Sequence, residues 1–257
     1  MAFTMRLTLD NDWTVTVTVT GDPLRISPRF DFRDFRVRVA PYANVEERGQ
    51  FLLDTFGSQP WLWDTPDELR FDQAGRELIG AEFQIAGEAA DAEDSARVPL
   101  TPLVRPGGLR ADEARDFRLD VTTELCRSPG DAVLTGLRDL DVLDEPLEAR
   151  IGIAPGLALL VQHNTVVGWS LTDPVRYLTT GFAAPDPAPP LPVTRVLFTT
   201  CMDLVTSPLL DHVRDREPAA LTRLRALDRA LRDQREDRHR ADALLGLIAT
   251  YVEDYAT

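Results

Sequence analysis

Cys201 and His212 are the two residues of this chain whose types and spacing could perform nucleophilic catalysis. A thiol needs a nearby imidazole to form a thiolate near neutral pH, and a carboxylate such as Asp203 or Asp211 would orient that imidazole. The surrounding sequence FTTCMD has no glycine-rich backbone for an oxyanion hole, so a buried, unreactive cysteine is the favoured interpretation. Cys201, His212 and Asp203 remain the candidate catalytic residues.

A strand and a helix would position this pair. Residues 193–199 are predicted to form a terminal strand, with Cys201 just beyond its end. Ser207-Pro208 predicts a helix start, because a hydroxyl cap and a proline at the first position both suit a helix N-terminus. His212 would lie on that helix, so contact with Cys201 is geometrically allowed. Apolar periodicity predicts further helices from Pro218 and from Ala241, while residues 232–240 form either a turn or the polar middle of one long helix.

Metal and cofactor motifs are absent from the sequence. Three histidines and two cysteines match neither HExxH nor CxxC spacing, and no GxGxxG loop is present. Asp139 and Asp141 could chelate a divalent ion, but a solvated face is favoured because the EF-hand pattern is missing. His163 is interpreted as a hairpin tip and His239 as part of a solvated charge run. We therefore predict no metal and no cofactor, whereas a carboxylate pair brought together by the fold remains open as a catalytic site.

All 28 basic residues are arginine. A genome rich in G and C explains this most simply, and selection against reactive amines is the alternative. The absence of lysine excludes Schiff-base catalysis through lysine and a P-loop lysine. Cys126 and Cys201 are too few for a disulfide framework and are expected to be free thiols.

The net charge of −14 is concentrated in one part of the chain. Residues 54–148 contain 22 acids and 9 arginines, which accounts for −13. Such a field repels nucleic acid and membrane headgroups and can steer a basic partner, although it can also serve solubility alone. We predict no nucleic-acid and no membrane partner. The N-terminus has no apolar signal core and no run is long enough to cross a bilayer, so cytoplasmic residence is the expectation.

Residues 151–178 form the longest densely apolar stretch and predict two strands joined at His163-Asn164. Gly168 is either a bulge or a point of close backbone approach. A similar pattern at 69–83 matches it at a constant offset of 88, which is either a duplicated unit or a chance alignment of two hairpins. Trp61 and Trp63 either line an aromatic pocket or, as favoured, anchor a loop on the core. Residues 100–108, which contain Pro106-Gly107-Gly108, are predicted to be an irregular connector.

The segregation of strands and helices predicts an α+β protein. Residues 1–182 form a β-rich antiparallel body, residues 183–192 a proline-rich connector, and residues 193–257 a terminal strand and helices that pack on the body. The leading functional hypothesis is an acidic binding protein that engages a basic protein partner, for example a bacterial immunity or neutralising protein. The alternative is a small-molecule enzyme of bacterial specialised metabolism that uses Cys201 and His212 or carboxylates.

Overall fold

The computed structural model describes residues 5–10, 15–58 and 67–256, so Trp61 and Trp63 lie outside the described residues. Within these residues the strands are β1 Arg6–Asp10, β2 Val15–Thr20, β3 Arg29–Asp31, β4 Arg36–Val39, β5 Thr55–Gly57, β6 Glu68–Asp72, β7 Leu78–Gln84, β8 Arg105–Pro106, β9 Gly108–Ala111, β10 Glu124–Arg127, β11 Val133–Leu137, β12 Ala149–Ala154, β13 Leu157–Gln162, β14 Thr165–Thr172 and β15 Leu178–Thr179. The helices are α1 Val45–Leu53, α2 Ala92–Arg97, α3 Pro192–Val205, α4 Leu209–Arg214, α5 Pro218–Asp233 and α6 Arg238–Tyr255. Four of these helices follow the last strand, and the fold is α+β, as predicted. The prediction of an antiparallel body was wrong in part, because β1 pairs with β14, β8 with β12 and β15 with β3 in parallel.

The first sheet is almost a barrel. Its strand order is β8-β12-β13-β14-β1-β2-β9, and β11 pairs with β14 and carries β10. Residues 105–106 pair with β12, and residues 108–111 of the same segment pair with β2, so this segment joins the two ends of the sheet. The prediction of an irregular connector over residues 100–108 was therefore wrong at its C-terminal end. Gly107 and Gly108 allow the backbone to pass there, because a Cβ on Gly108 would lie 2.2 Å from the Asp22 carbonyl oxygen.

The second sheet has the order β15-β3-β4-β7-β6-β5 and packs against the first through its apolar face. The Phe83 and Trp169 rings meet between the sheets with centroids 5.5 Å apart. Because side chains alternate along a strand, the other face of this sheet carries the polar residues. That face is covered in part by α1, whose Phe51 ring lies over Gly80.

The central stretch forms the predicted hairpin. His163 and Asn164 connect β13 to β14 with φ values of 51° and 56°, the left-handed conformation that the turn requires. Gly168 is a point of close approach, since a Cβ there would lie 2.2 Å from the Gly136 carbonyl oxygen. The similar hairpin formed by β6 and β7 lies in the other sheet.

The prediction of a strand at residues 193–199 was wrong, because these residues form the first half of α3. Pro192 occupies the first turn, where its missing amide hydrogen is not needed. Phe198, Cys201, Met202 and Val205 share the buried side of this helix at spacings of three and four residues. Helical packing against the body therefore outweighs the strand preference of its β-branched residues.

The remaining C-terminal elements are helices, as predicted, but the predicted Ser207 cap of α4 was wrong, because Pro208 is the N-cap residue and no side chain caps this helix. Residues 234–237 form a turn between α5 and α6. The polar run of residues 232–240 therefore contains a turn and is not the middle of one long helix. The apolar sides of α3, α5 and α6 join the apolar faces of both sheets in one core. Among the described residues, no helix is long and apolar enough to span a membrane.

Candidate functional site

The structure places Cys201 and His212 in different environments. Cys201 lies on α3 with no exposed surface, inside the main apolar core. His212 lies on α4 with its ring about half exposed, and its Nδ1 is 2.7 Å from Oε1 of Glu217. Asp203 is bound to Arg127 at 2.9 Å rather than to the imidazole. His212 and Asp203 are therefore bound to other residues and not to the thiol of Cys201.

The environment of Cys201 opposes thiolate formation. Burial, with a further contribution from Asp203, raises the pKa of this thiol well above its ordinary value. Burial also raises the pKa of Cys126 to about 11. A nucleophilic cysteine needs the opposite shift, usually from a neighbouring cation. Both cysteines are free, as predicted, and neither has the features of an activated nucleophile.

The other polar candidates have structural partners. His163 is an exposed hairpin residue whose Nε2 lies 2.8 Å from Glu145. The Asp139 carboxylate accepts a hydrogen bond from the Asp141 backbone amide and so caps a short 3-10 turn. Among the described residues, no group of three His, Cys, Asp or Glu side chains is arranged to hold a metal ion.

The polar face of the second sheet contains a network of buried charges that sequence reasoning missed. Arg29, Arg38, Glu82 and Glu68 stand side by side across four strands, and each is at least 93% buried. Arg36 and Arg38 point away from the apolar face, but Arg38 lies under other groups and binds Asp31 at 3.2 Å. The alternation of arginine with valine on β4 was the available signal, but it does not reveal that a helix covers this face.

Arg48 of α1 connects this network to the helix above it. Its guanidinium lies 3.6 Å from Glu68 and 3.7 Å from Glu82. Burial and the neighbouring Glu82 raise the pKa of Glu68. Burial would also raise the pKa of Glu82, but Arg38, Arg36 and Arg48 outweigh it and lower that pKa. The network binds its own members, so its role is to hold α1 on the sheet.

Asp67 is the one described carboxyl with a large upward shift. Burial raises its pKa to about 6, against hydrogen bonds from the Thr122 hydroxyl at 2.6 Å and the Gln84 amide at 2.9 Å. The void beside it measures about 10 Å³, which admits about one water molecule. A substrate cannot reach this carboxyl in the structure, so Asp67 does not provide the carboxylate site that the sequence left open.

An acidic lobe carries about half of the described exposed carboxylates of residues 54–148, and the described exposed acids outside it are Asp54, Glu77, Glu113, Asp116, Asp120 and Glu148. We use this name for residues 88–97, 124–126 and 139–145, which contain nine carboxylates and one arginine. Its acids are Glu88, Asp91, Glu93, Asp94, Glu124, Asp139, Asp141, Asp144 and Glu145. Seven of the nine side chains are exposed and two are half-buried. Three distant segments of the chain therefore contribute to one negatively charged surface.

A small separate core holds the acidic lobe together. Its buried members are Cys126, Leu137, Val142, Leu143, Leu147 and Leu160, and Ala90 and Val98 on either side of α2 pack against them together with Leu140 and Val167. Arg97 bridges two of the segments by binding both Asp94, at 2.9 Å, and Asp144.

The carboxylates of the lobe lie close enough to interact. Burial and repulsion from Glu88, Asp139 and Asp94 raise the pKa of Glu124. Glu124 therefore lies in the electrostatic field of the other three carboxylates.

Four further acids of residues 54–148 are not available to a partner. Asp67, Glu68, Glu82 and Asp131 are buried, and Asp131 is paired with Arg127 at 2.7 Å. The sequence assigned the negative charge to one continuous segment, whereas the fold divides that segment into an internal set and an exposed set.

Comparison of this chain with protein-family models, with curated proteins and with solved structures found no match.

Proposed function

We propose that this protein is a non-enzymatic binding protein that engages a basic protein partner through the acidic lobe. The observation that carries the proposal is the convergence of exposed carboxylates from three separate segments on one surface with a single arginine among them. Complementary charge of this kind accelerates association and selects against acidic partners. A protein that neutralises a basic toxin is one member of this class.

The placement of the other candidate groups supports binding over catalysis. The thiol of Cys201 is buried and its pKa is raised. The shifted carboxyl of Asp67 lies beside a void of only about 10 Å³, which is below the size of small-molecule sites. The acidic lobe, in contrast, presents its charged groups to solvent.

A charge-neutralised variant tests the proposal. Glu88→Gln, Glu93→Gln, Glu124→Gln and Asp141→Asn together remove four charges from side chains that accept no hydrogen bond from another described residue. The matched control removes four exposed charges elsewhere, through Glu46→Gln, Asp215→Asn, Asp233→Asn and Glu236→Gln.

Each protein is immobilised and exposed to native lysate, the captured protein is identified, and its affinity is measured with purified components. We expect the native chain and the control to retain a basic protein at about 0.05 M NaCl and to lose it at about 0.5 M, where screening is strong. The neutralised variant should bind at least about tenfold more weakly, mainly through a slower association rate. Equal affinity of the neutralised variant and the control would contradict the proposal.

A further inference from the structure

An apolar groove lies at one end of the barrel, where residues 102–106 approach β2 and β12. Its volume is about 470 Å³, within the range of about 300–1,000 Å³ that holds small organic ligands. Val19, Pro102, Leu103, Pro106 and Ile151 provide most of its apolar lining. The groove therefore has both the size and the lining of a ligand site.

The segment beside the groove exposes apolar side chains to solvent. Leu100 and Leu103 are 75% and 80% exposed, and Val104 is 43% exposed. Prolines at 99, 102 and 106 restrict the backbone of this segment. Neighbouring exposed aliphatic side chains of this kind are a feature of interaction surfaces.

Arg105, Glu148 and Arg150 are the charged residues that line the groove. Arg105 already has an interaction of its own, so Arg150 is the cation considered for a ligand. Its Nη1 donates to the Leu100 carbonyl oxygen at 2.9 Å, which fixes the guanidinium beside the apolar segment. Its Nε is buried and donates to no acceptor among the described residues. No described carboxylate lies within ion-pairing distance of it, and burial alone lowers its pKa.

The groove also contains a carboxylate, Glu148, which has a different partner. Its Oε2 accepts a hydrogen bond from the Asn164 backbone amide at 2.9 Å, at the hairpin tip between β13 and β14. Glu148 forms no ion pair with Arg150, and burial is the one cause that shifts the pKa of Arg150.

We propose that the groove binds a small amphipathic carboxylate, such as a medium-chain fatty-acid anion, with its apolar chain against Val19, Leu103 and Ile151 and its carboxylate on Arg150. A guanidinium presents two parallel N–H donors that match the two oxygens of a carboxylate. Nη2 donates to no described acceptor and remains available for such a contact, whereas Nη1 is bound to Leu100 and Nε is buried. The apolar lining provides the larger part of the binding free energy, and the arginine selects the head group.

The charge of the whole molecule makes this assignment specific. A net charge of −14 repels small anions in general, so binding of a fatty-acid anion requires both a local cation and burial of the chain. The ammonium group of decylamine would be repelled by Arg150, which has no carboxylate partner among the described residues. Decanol carries no negative charge that could pair with this guanidinium.

Calorimetric titration with decanoate, decanol and decylamine, each below the concentration at which it aggregates, tests the proposal on the native chain. We expect decanoate to bind about tenfold or more tightly than decanol, as a charge-assisted hydrogen-bond pair predicts, and decylamine to bind more weakly than both. Equal binding of the three head groups, or no heat with decanoate at about millimolar concentration, would overturn it.

Variants then assign the contact. Arg150→Gln should weaken decanoate about tenfold and leave decanol unchanged, Leu103→Asp should weaken both, and Arg229→Gln on the exposed side of α5 should change neither. Sedimentation of the native chain and of Leu103→Asp examines a competing occupant. If the native chain is a dimer that this substitution dissociates, a second copy covers the groove and the proposal is wrong.

Discussion

Asp67 illustrates how the environment of one residue changes its chemistry. Its carboxyl is buried and accepts hydrogen bonds from Thr122 and Gln84, yet no arginine is bound to it at ion-pair distance among the described residues. Burial therefore dominates, and the folded state holds the proton more tightly than the unfolded state does. This proton links folding stability to pH.

Asp67→Asn should change the pH dependence of stability. The pKa of Asp67 rises from 3.8 to about 6 on folding, so its contribution to stability is complete below about pH 4 and is lost as the pH rises through about 6. Relative to Asp67→Asn, the native chain should lose about 3 kcal/mol of unfolding free energy between pH 4 and pH 7. Urea denaturation of both proteins across this range measures the difference.

Asp112→Asn is a control of opposite sign. Burial would raise the pKa of Asp112, but hydrogen bonds from Thr16 and Arg6 outweigh it and lower that pKa. Its stabilising contribution is present at neutral pH and is lost as the pH falls. Parallel stability curves for the native chain and Asp67→Asn would contradict the assigned pKa.

Buried arginines show why lysine would not serve at several positions. Arg29 donates to the carbonyl oxygens of Tyr42, Ala40 and Phe182, and its guanidinium lies 5.2 Å from the Tyr42 ring centroid. Arg70 similarly binds carbonyl groups at the end of α1. A planar group with five donors can join several carbonyls at once, which an ammonium on a flexible chain does less well. The structure thus gives a physical reason for arginine at these sites, although not at the exposed ones.

At the scale of elements, the segment from β8 to β9 determines how the first sheet closes. The segment pairs with β12 up to Pro106 and with β2 from Gly108 onward. Gly107 and Gly108 therefore lie where the segment comes close to both β12 and β2. A Cβ on Gly107 would lie 2.9 Å from the Thr20 carbonyl oxygen. These are backbone atoms, which cannot move aside as a side chain can.

Gly108→Ala should destabilise the barrel. The added methyl group would lie 2.2 Å from the Asp22 carbonyl oxygen, and we expect a loss of about 3 kcal/mol or more in unfolding free energy, at the upper end for overpacking. Gly21→Ala is the matched control, because its Cβ would have no atom within 4 Å. Chemical denaturation of the two variants measures the difference, and similar midpoints would argue against closure through this segment.

At the scale of the molecule, Arg240 of α6 joins the helical region to the body and to the proline-rich segment. It is 1% exposed and binds the carbonyl oxygens of Val175, Asp186 and Ala188 as well as the Asp237 carboxylate. Residues 183–191 of the segment predicted as a connector form no helix or strand and bend at residues 187–188, and hydrogen bonds fix the segment to the helices.

Arg240→Met should weaken the attachment of the proline-rich segment. It leaves the Asp237 carboxylate, itself 6% exposed, without its cation, and removing one partner of a buried pair costs about 3–5 kcal/mol. Arg238→Met is the control, because Arg238 forms an exposed pair with Asp242, worth about 0–1 kcal/mol. Denaturation and limited proteolysis within residues 183–191 provide the measurements. Equal protection of that segment in both variants would show that Arg240 does not hold it.

The acidic lobe and the apolar groove are separate surfaces with separate tests. Neutralising the lobe leaves Arg150 and Leu103 in place, and Arg150→Gln leaves the nine lobe carboxylates unchanged. A failed fatty-acid titration would therefore not affect the proposed protein partner, and a failed capture experiment would not affect the groove.

The sequence by itself determined the local features of this protein. His163-Asn164 predicted the turn between β13 and β14, and apolar spacing predicted α5 and α6. Each of these depends on residues within a few positions of one another, where side-chain periodicity and backbone preference decide the outcome.

The tertiary structure alone decided how distant residues meet. It made residues 193–199 helical through packing, buried Cys201 away from an imidazole, covered Arg38 and Glu82 with a helix, and sorted the acids of one segment into internal and exposed sets. It also placed Arg150 beside an apolar groove without a carboxylate partner among the described residues. The physical reason is that burial, pairing and pKa depend on neighbours that are far apart in the chain, and composition or spacing does not specify those neighbours.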